Sequence, residues 1–186
     1  MAKLSRELKA EGQDIIDLSL GEPDFDTPQH IAEAAKTAMD EGYTKYPPVA
    51  GFPDLRKAIA DKFRRENNLS YDVSEVMVST GAKQCIYNAV MSIVNEGDEV
   101  IIPAPFWVSY LEILKLAEGK PVFIDTDISS DFKISPQQLE KAITPKTKLI
   151  MISTPCNPTG SVYNKEELKA LAEVIAKHDD LYVISD

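Results

Sequence analysis

Residues Glu99–Asp125 read EVIIPAPFWVSYLEILKLAEGKPVFID. The run opens on a short β-branched stretch, EVIIP, and passes into a helical pattern, FWVSYLEILKLAEG. It then returns to a second short apolar stretch, KPVFID. Strand, helix and strand in that order make a βαβ unit, whose two strands lie parallel in one sheet. The same alternation runs outward in both directions. Upstream, EVMVS (75–79) leads into GAKQCIYNAVMSIVNEG; downstream come SPQQLEKAI, TKLIMIS, NKEELKALAEVIAKHD and LYVIS. The fold class expected is therefore α/β, a mostly parallel sheet with helices on both faces.

Ahead of this region the chain reads as helices and loops. DTPQHIAEAAKTAMDEG predicts a helix with Thr27 as its N-cap, Pro28 at its first position and Gly42 as its stop. FPDLRKAIADKFRREN predicts another, with Leu55, Ile59 and Phe63 spaced for one buried stripe. YTKYPPVAG between them is too punctuated by Pro and Gly for a regular element. Two later helix starts carry capping boxes, Ser135 with Gln138 and Asn164 with Glu167.

Composition narrows the function classes. A chain of 186 residues with 44% apolar residues suits one domain with a substantial core, or at most two small ones. Its net charge of −10 disfavours nucleic acid and anionic membrane surfaces. Two cysteines and two histidines, widely spaced, assemble no metal-ligand cluster, so no metal is expected. Cys85 falls within a helical pattern and reads as a small core residue, and the cysteine usage suits a reducing cytoplasm. No apolar run reaches membrane-span length, and the polar N-terminus carries no signal-peptide pattern.

Ligands of open α/β sheets bind beyond the carboxyl ends of the strands. Just past the strand runs of this chain stand a Gly turn with a cation (TGAK, Thr80–Lys83), an aromatic (APFW, ending at Trp107), an amide (TPCNPTG, around Asn157) and a carboxylate (Asp186). Each has an ordinary reading: a turn into a helix, a core anchor, a turn former, a cap. TGAK is not a phosphate-binding P-loop, and no GxGxxG is present. One ligand type would use all four. Amides of Gly81, Ala82 and Lys83 would hold a phosphate at a helix start, and Trp107 would stack on a flat ring. Asn157 would donate to a phenolic oxygen, and a buried Asp186 carboxylate would keep a ring nitrogen protonated. That ligand is pyridoxal 5′-phosphate.

The stretches LSLGEPDFDTP, YTKYPPVAGFPDLRKAIA, STGAKQ, PAPFWVSY, STPCNPTG and VISD occur in one order along the whole chain. Together they resemble the fold-type I pyridoxal-phosphate enzymes of aminotransferase class I/II, most of all the bacterial aspartate aminotransferase branch. The resemblance implies residues 1–42 as a segment contributing to a small domain and substrate loop, and 43–186 as part of the large cofactor domain. It implies Gly21 beside the substrate carboxylate, and Tyr46 reaching the cofactor phosphate of a neighbouring subunit in a homodimer. Lys83 would also meet a distal substrate carboxylate, with Trp107 and Asn157 facing the substrate too, and a cis peptide would join Asn157 to Pro158. Asp186 would pair with the ring nitrogen.

The activity implied moves an amino group between an L-amino acid, aspartate, and a 2-oxo acid such as 2-oxoglutarate. Prephenate, aromatic amino acids and a β-lyase chemistry are the neighbouring alternatives; a non-catalytic binding fragment is the alternative of another class. After the aspartate at position 186 the family continues to a tyrosine, a Schiff-base lysine in an S-x-x-K context and a substrate-binding arginine. The chain is therefore expected to represent about half of such an enzyme and to be inactive by itself.

Overall fold

The computed structural model describes residues 2–16 and 21–186. Leu18–Leu20, the beginning of LSLGEPDFDTP, lie outside the described residues. The chain divides into two units, residues 1–47 and 48–186.

The first unit holds helices α1 (Ala2–Ala10) and α2 (Gln29–Asp40). Pro28, rather than Thr27, occupies the N-cap of α2, and no side chain caps it. The proline's fixed φ sets the entry angle, so the helix begins one residue later than the pattern predicts. Gly42, at φ +85°, ends it. None of the residues of α2 is buried.

The second unit carries the sheet. After α3 (Pro53–Asn67) and α4 (Ala82–Ile93) come β1 (Glu99–Ala104), α5 (Ser109–Leu116), β2 (Lys120–Asp125) and α6 (Pro136–Ala142). Then come β3 (Thr147–Ile152), α7 (Lys165–Ile175) and β4 (Tyr182–Ser185). All ladders are parallel, in the order β2-β1-β3-β4. Both capping boxes form: Ser135 with Gln138 opens α6, and Asn164 with Glu167 opens α7.

Strand alternation sorts the core into two layers. Val100 and Ile102 of β1, with Leu149 and Met151 of β3, meet Ile86 and Val90 of α4 and Ile113 and Leu114 of α5. Ile101, Ile150 and Ile152 point to the other face, against Leu139 of α6 and Leu171 and Val174 of α7. Helices thus cover both faces, which is why the central strands read as continuous apolar runs.

Three local expectations change. Among the described residues EVMVS forms no ladder: Val73–Glu75 is a 3₁₀ turn, and Val76 is extended with no described strand beside it. Its Val78 N–H bonds Ala50 O (3.0 Å) instead, and backbone that finds a loop partner satisfies itself without joining a sheet. On α3, Leu55 is 46% exposed while Ala60 is buried; Arg56 anchors that helix by donating to Val73 O and Val76 O. Cys85 is exposed, because α4 turns Ile86 and Val90 inward and position 85 lies about 100° round the helix from Ile86. LYVIS forms β4 at the sheet edge, with Tyr182 and Val183 about half exposed.

Candidate functional site

The strand order fixes where a ligand crevice opens. From β1 the chain leaves through α5 to β2 on one side; from β3 it leaves through α7 to β4 on the other. The connections diverge at the adjacent pair β1 and β3, and such a reversal leaves a gap at the carboxyl ends of the two strands. A crevice lies there, lined by Pro103, Pro105, Phe106 and Tyr110 from the β1 side and by Ser153 and Cys156 from the β3 side. Cys156 Sγ approaches Pro105 O (3.6 Å), tying the two loops together.

Three of the four groups expected from the sequence are joined at this edge by a line of contacts. The Lys83 ammonium, in the first turn of α4, stands 5.0 Å from the Trp107 ring centroid. Trp107 presents its ring at 86° to Tyr110, centroids 5.7 Å apart. The Tyr110 hydroxyl donates to Asp186 Oδ2. Asp186 itself is pinned by its backbone: its N–H donates to Ile152 O (2.9 Å), and its carbonyl accepts from Thr154 N–H (3.2 Å). Asn157 is exposed in the loop beyond β3, and its peptide bond to Pro158 is cis, as are Ala104–Pro105 and Thr154–Pro155.

The α4 start is shaped by Gly81, whose φ of +84° and ψ of +161° are open almost only to glycine. Its own N–H turns back to Ser79 O (2.9 Å), and Gln84 Oε1 accepts from Thr80 N–H (2.5 Å). The outward amides of this turn are therefore those of Ala82 and Lys83, not of Gly81. A Cβ built on Gly81 would meet nothing within 4 Å. The turn faces open space, and the helix start favours negative charge there.

Asp186 is exposed, not buried as expected. Tyr110, 2% exposed, places a donor on one carboxylate oxygen. Burial first, and then donation to Asp186, hold its phenol well above the usual tyrosine range. Sequence reading missed this residue by treating it as helix body; a hydroxyl three residues past Trp107, on an otherwise apolar helix face, was the available signal.

Gly21 and Tyr46 belong to the first unit, and both are exposed. Ser130–Lys133 does spell S-x-x-K, ahead of Asp186 rather than after it. Its lysine is paired with Asp131 (3.1 Å) and Glu167 (3.2 Å), which raise its pKa and keep it cationic, a poor nucleophile. Among the described residues, no helix is long and apolar enough to cross a membrane.

Residues 13–186 match the family model for aminotransferase class I and II. The aspartate/prephenate aminotransferase of Nitrosomonas europaea is 56% identical over 185 residues, covering 100% of this chain and 46% of the relative. The aspartate aminotransferase of Bacillus subtilis is 53% identical over 182 residues, covering 98% and 46%. The solved aspartate aminotransferase of Thermus thermophilus with maleate superposes with a TM-score of 0.95 at 46% identity, covering 100% of this chain and 48% of that one. The chain spans about half the length of the relatives it matches.

Proposed function

Because the chain belongs to the aminotransferase class I and II family, we propose that it holds pyridoxal 5′-phosphate in the crevice between β1 and β3. In this reading the protein of which the chain is part exchanges an amino group between aspartate and a 2-oxo acid such as 2-oxoglutarate. The observation that carries it is the contact line Lys83–Trp107–Tyr110–Asp186 across the carboxyl edge of the sheet. A cation, a flat indole and an oriented carboxylate succeed one another there, and that order suits a flat ring with an anion at one end and a basic nitrogen at the other.

The residues present fit this group. The Ala82 and Lys83 amides offer a phosphate two donors on a helix start that no side chain caps. Trp107, half-buried, gives a ring face for stacking. Asn157 offers an amide donor for the phenolic oxygen, and Asp186 accepts from the ring nitrogen. When bound, the cofactor supplies an electron-withdrawing ring that stabilises negative charge at the substrate α-carbon. The task of Asp186 is to keep a proton on the ring nitrogen and so sustain that withdrawal.

Lys83 supports a dicarboxylic substrate, its ammonium being free to face a second carboxylate once the phosphate is held by backbone amides. The maleate in the Thermus thermophilus structure is a dicarboxylate, and prephenate, named for the Nitrosomonas europaea relative, is another; the latter favours prephenate as a second substrate. We assign residues 1–42 to a small domain and substrate loop and 43–186 to the cofactor domain. Gly21 would lie beside the substrate carboxylate, and Tyr46 would reach the phosphate held by a second copy in a homodimer. The cytoplasm is the proposed compartment.

The test is transamination by the full polypeptide that the gene encodes, with aspartate and 2-oxoglutarate as substrates and oxaloacetate and glutamate as measured products. Turnover that depends on added pyridoxal 5′-phosphate is expected, and none from residues 1–186 alone. Absence of turnover in the full polypeptide with every amino donor tried would sink the reading.

A further inference from the structure

We propose that Tyr163 is a positioning residue that holds the loop bearing Asn157 ready for the phenolic oxygen of the ligand. The proposal rests on the cofactor reading and gives a task to a buried side chain which that reading does not use. Asn157 is exposed in the connection between β3 and α7, and an unheld loop of that length would present its amide in many orientations. Here the loop is closed at its base, where Tyr163 N–H donates to Thr154 Oγ1 (3.1 Å). Inside it, Cys156 N–H donates to Ser161 O (2.9 Å) and Gly160 N–H donates to Cys156 O (2.7 Å). Both backbone groups of the residue before Asn157 are therefore engaged.

Tyr163 also joins the closed loop to the body of the sheet. It is 8% exposed and packs in the core layer that holds Ile134, Leu139 and Leu171. Its hydroxyl accepts from Ile134 N–H (2.8 Å). The segment before α6 grips the same stretch twice more: Ser161 Oγ donates to Asp131 Oδ1 (3.4 Å), and Lys133 pairs with Glu167 (3.2 Å). Of these three ties the one to Tyr163 is the shortest and the buried one, and a hydrogen bond away from water is the stronger for it. Folding thus orders the Asn157 loop before a ligand arrives, which removes an ordering cost from binding.

The experiment uses the full polypeptide and two probes without an aldehyde: pyridoxine 5′-phosphate and its 3-deoxy analogue, in which hydrogen replaces the phenolic hydroxyl. The change in the ratio of their dissociation constants from one variant to another reads the contact to that oxygen, since phosphate and stacking contributions are common to both probes. The unchanged protein is expected to prefer pyridoxine 5′-phosphate by roughly fivefold or more, the size of one hydrogen bond. Asn157→Ala is expected to bring the ratio close to one. Tyr163→Phe, which opens the tie to Ile134, and Thr154→Val, which opens the base of the loop, are each expected to reduce it to about twofold or less. Asn164→Ala, next to Tyr163 but outside the loop's ties, is expected to keep the full ratio.

A merely structural role would weaken both probes in parallel. If Tyr163→Phe and Thr154→Val keep the full ratio while Asn157→Ala loses it, the proposal is overturned and the cofactor reading stands. An equal loss of ratio in Asn164→Ala overturns it too. A ratio near one in the unchanged protein overturns the proposal together with the Asn157 contact, and failure to bind either probe sinks the cofactor reading itself and the proposal with it. Should the Tyr163 and Thr154 variants not fold, amide exchange at Ile134 and Tyr163 in the unchanged protein decides the matter. Pyridoxine 5′-phosphate is expected to slow it more than the 3-deoxy probe does, both at saturation, and equal slowing overturns the proposal.

Discussion

The ammonium of Lys83 lies 5.0 Å from the centroid of the Trp107 ring, joining the start of α4 to the loop after β1. A contact of this kind in partial exposure contributes about 0.5–1 kcal/mol, so its value to stability is small. Its consequence for function is larger, because a cation parked over the proposed stacking surface is available to a second carboxylate. Lys83→Gln is expected to weaken maleate binding to the full polypeptide about tenfold. The affinity for pyridoxine 5′-phosphate should stay within about twofold, its phosphate being held by backbone amides. Calorimetric titration of both ligands checks this, and equal losses for the two would contradict it.

Gly81 tests the phosphate turn. Its φ of +84° with ψ of +161° strains any residue with a Cβ, although no atom stands within 4 Å to clash with one. Gly81→Ala is therefore expected to cost about 1–3 kcal/mol through backbone strain alone, seen as a lower urea midpoint. Phosphate-bearing ligands should weaken as the first turn of α4 rotates to relieve it. An alanine variant with unchanged midpoint and unchanged ligand affinity would show that the turn conformation is dispensable.

Alkaline stability depends on the two buried phenols. Burial raises the Tyr163 pKa as it does that of Tyr110. In the unfolded chain both ionise near pH 10, so above about that pH the folded state binds more protons than the unfolded one. Stability is fully present below about pH 10 and falls as pH rises beyond it, by up to ~1.4 kcal/mol per pH unit for each group. Tyr110→Phe removes one of the two contributions. Urea midpoints measured from about pH 8 to 11 should fall less steeply in that variant than in the unchanged protein, and equal slopes would contradict the assignment.

The α7 capping box offers a control away from the site. Asn164 Oδ1 accepts from Glu167 N–H at 2.8 Å, and Glu167 Oε2 accepts from Asn164 N–H at 2.7 Å. Asn164→Ala should cost about 1 kcal/mol in chemical denaturation and leave ligand affinities unaltered.

Much of the fold was legible because its signals are local. The capping boxes at Ser135 and Asn164, and the apolar runs of β1, β2 and β3, name their own conformations. The features that were misread depend on neighbours. EVMVS has strand composition but bonds Ala50 instead of a ladder. Cys85 fits a helical pattern, and only the side of α4 that meets the sheet decides that Ile86 is buried and Cys85 is not. At the site, Lys83, Trp107 and Asp186 could be named because each comes directly after a strand-like run. Tyr110 could not, since its partner is 76 positions away and nothing in PFWVSYLEIL marks one hydroxyl as an anchor.

The central claim is that the start of α4, Trp107 and Asp186 share one ligand, and the single tryptophan of the chain gives a direct reading of it. Fluorescence of residues 1–186 is measured while pyridoxine 5′-phosphate is added, with Asp186→Asn in parallel. The account predicts saturable quenching that inorganic phosphate competes away and that Asp186→Asn weakens several-fold. Quenching that rises linearly without saturation, and equally in both proteins, would contradict it.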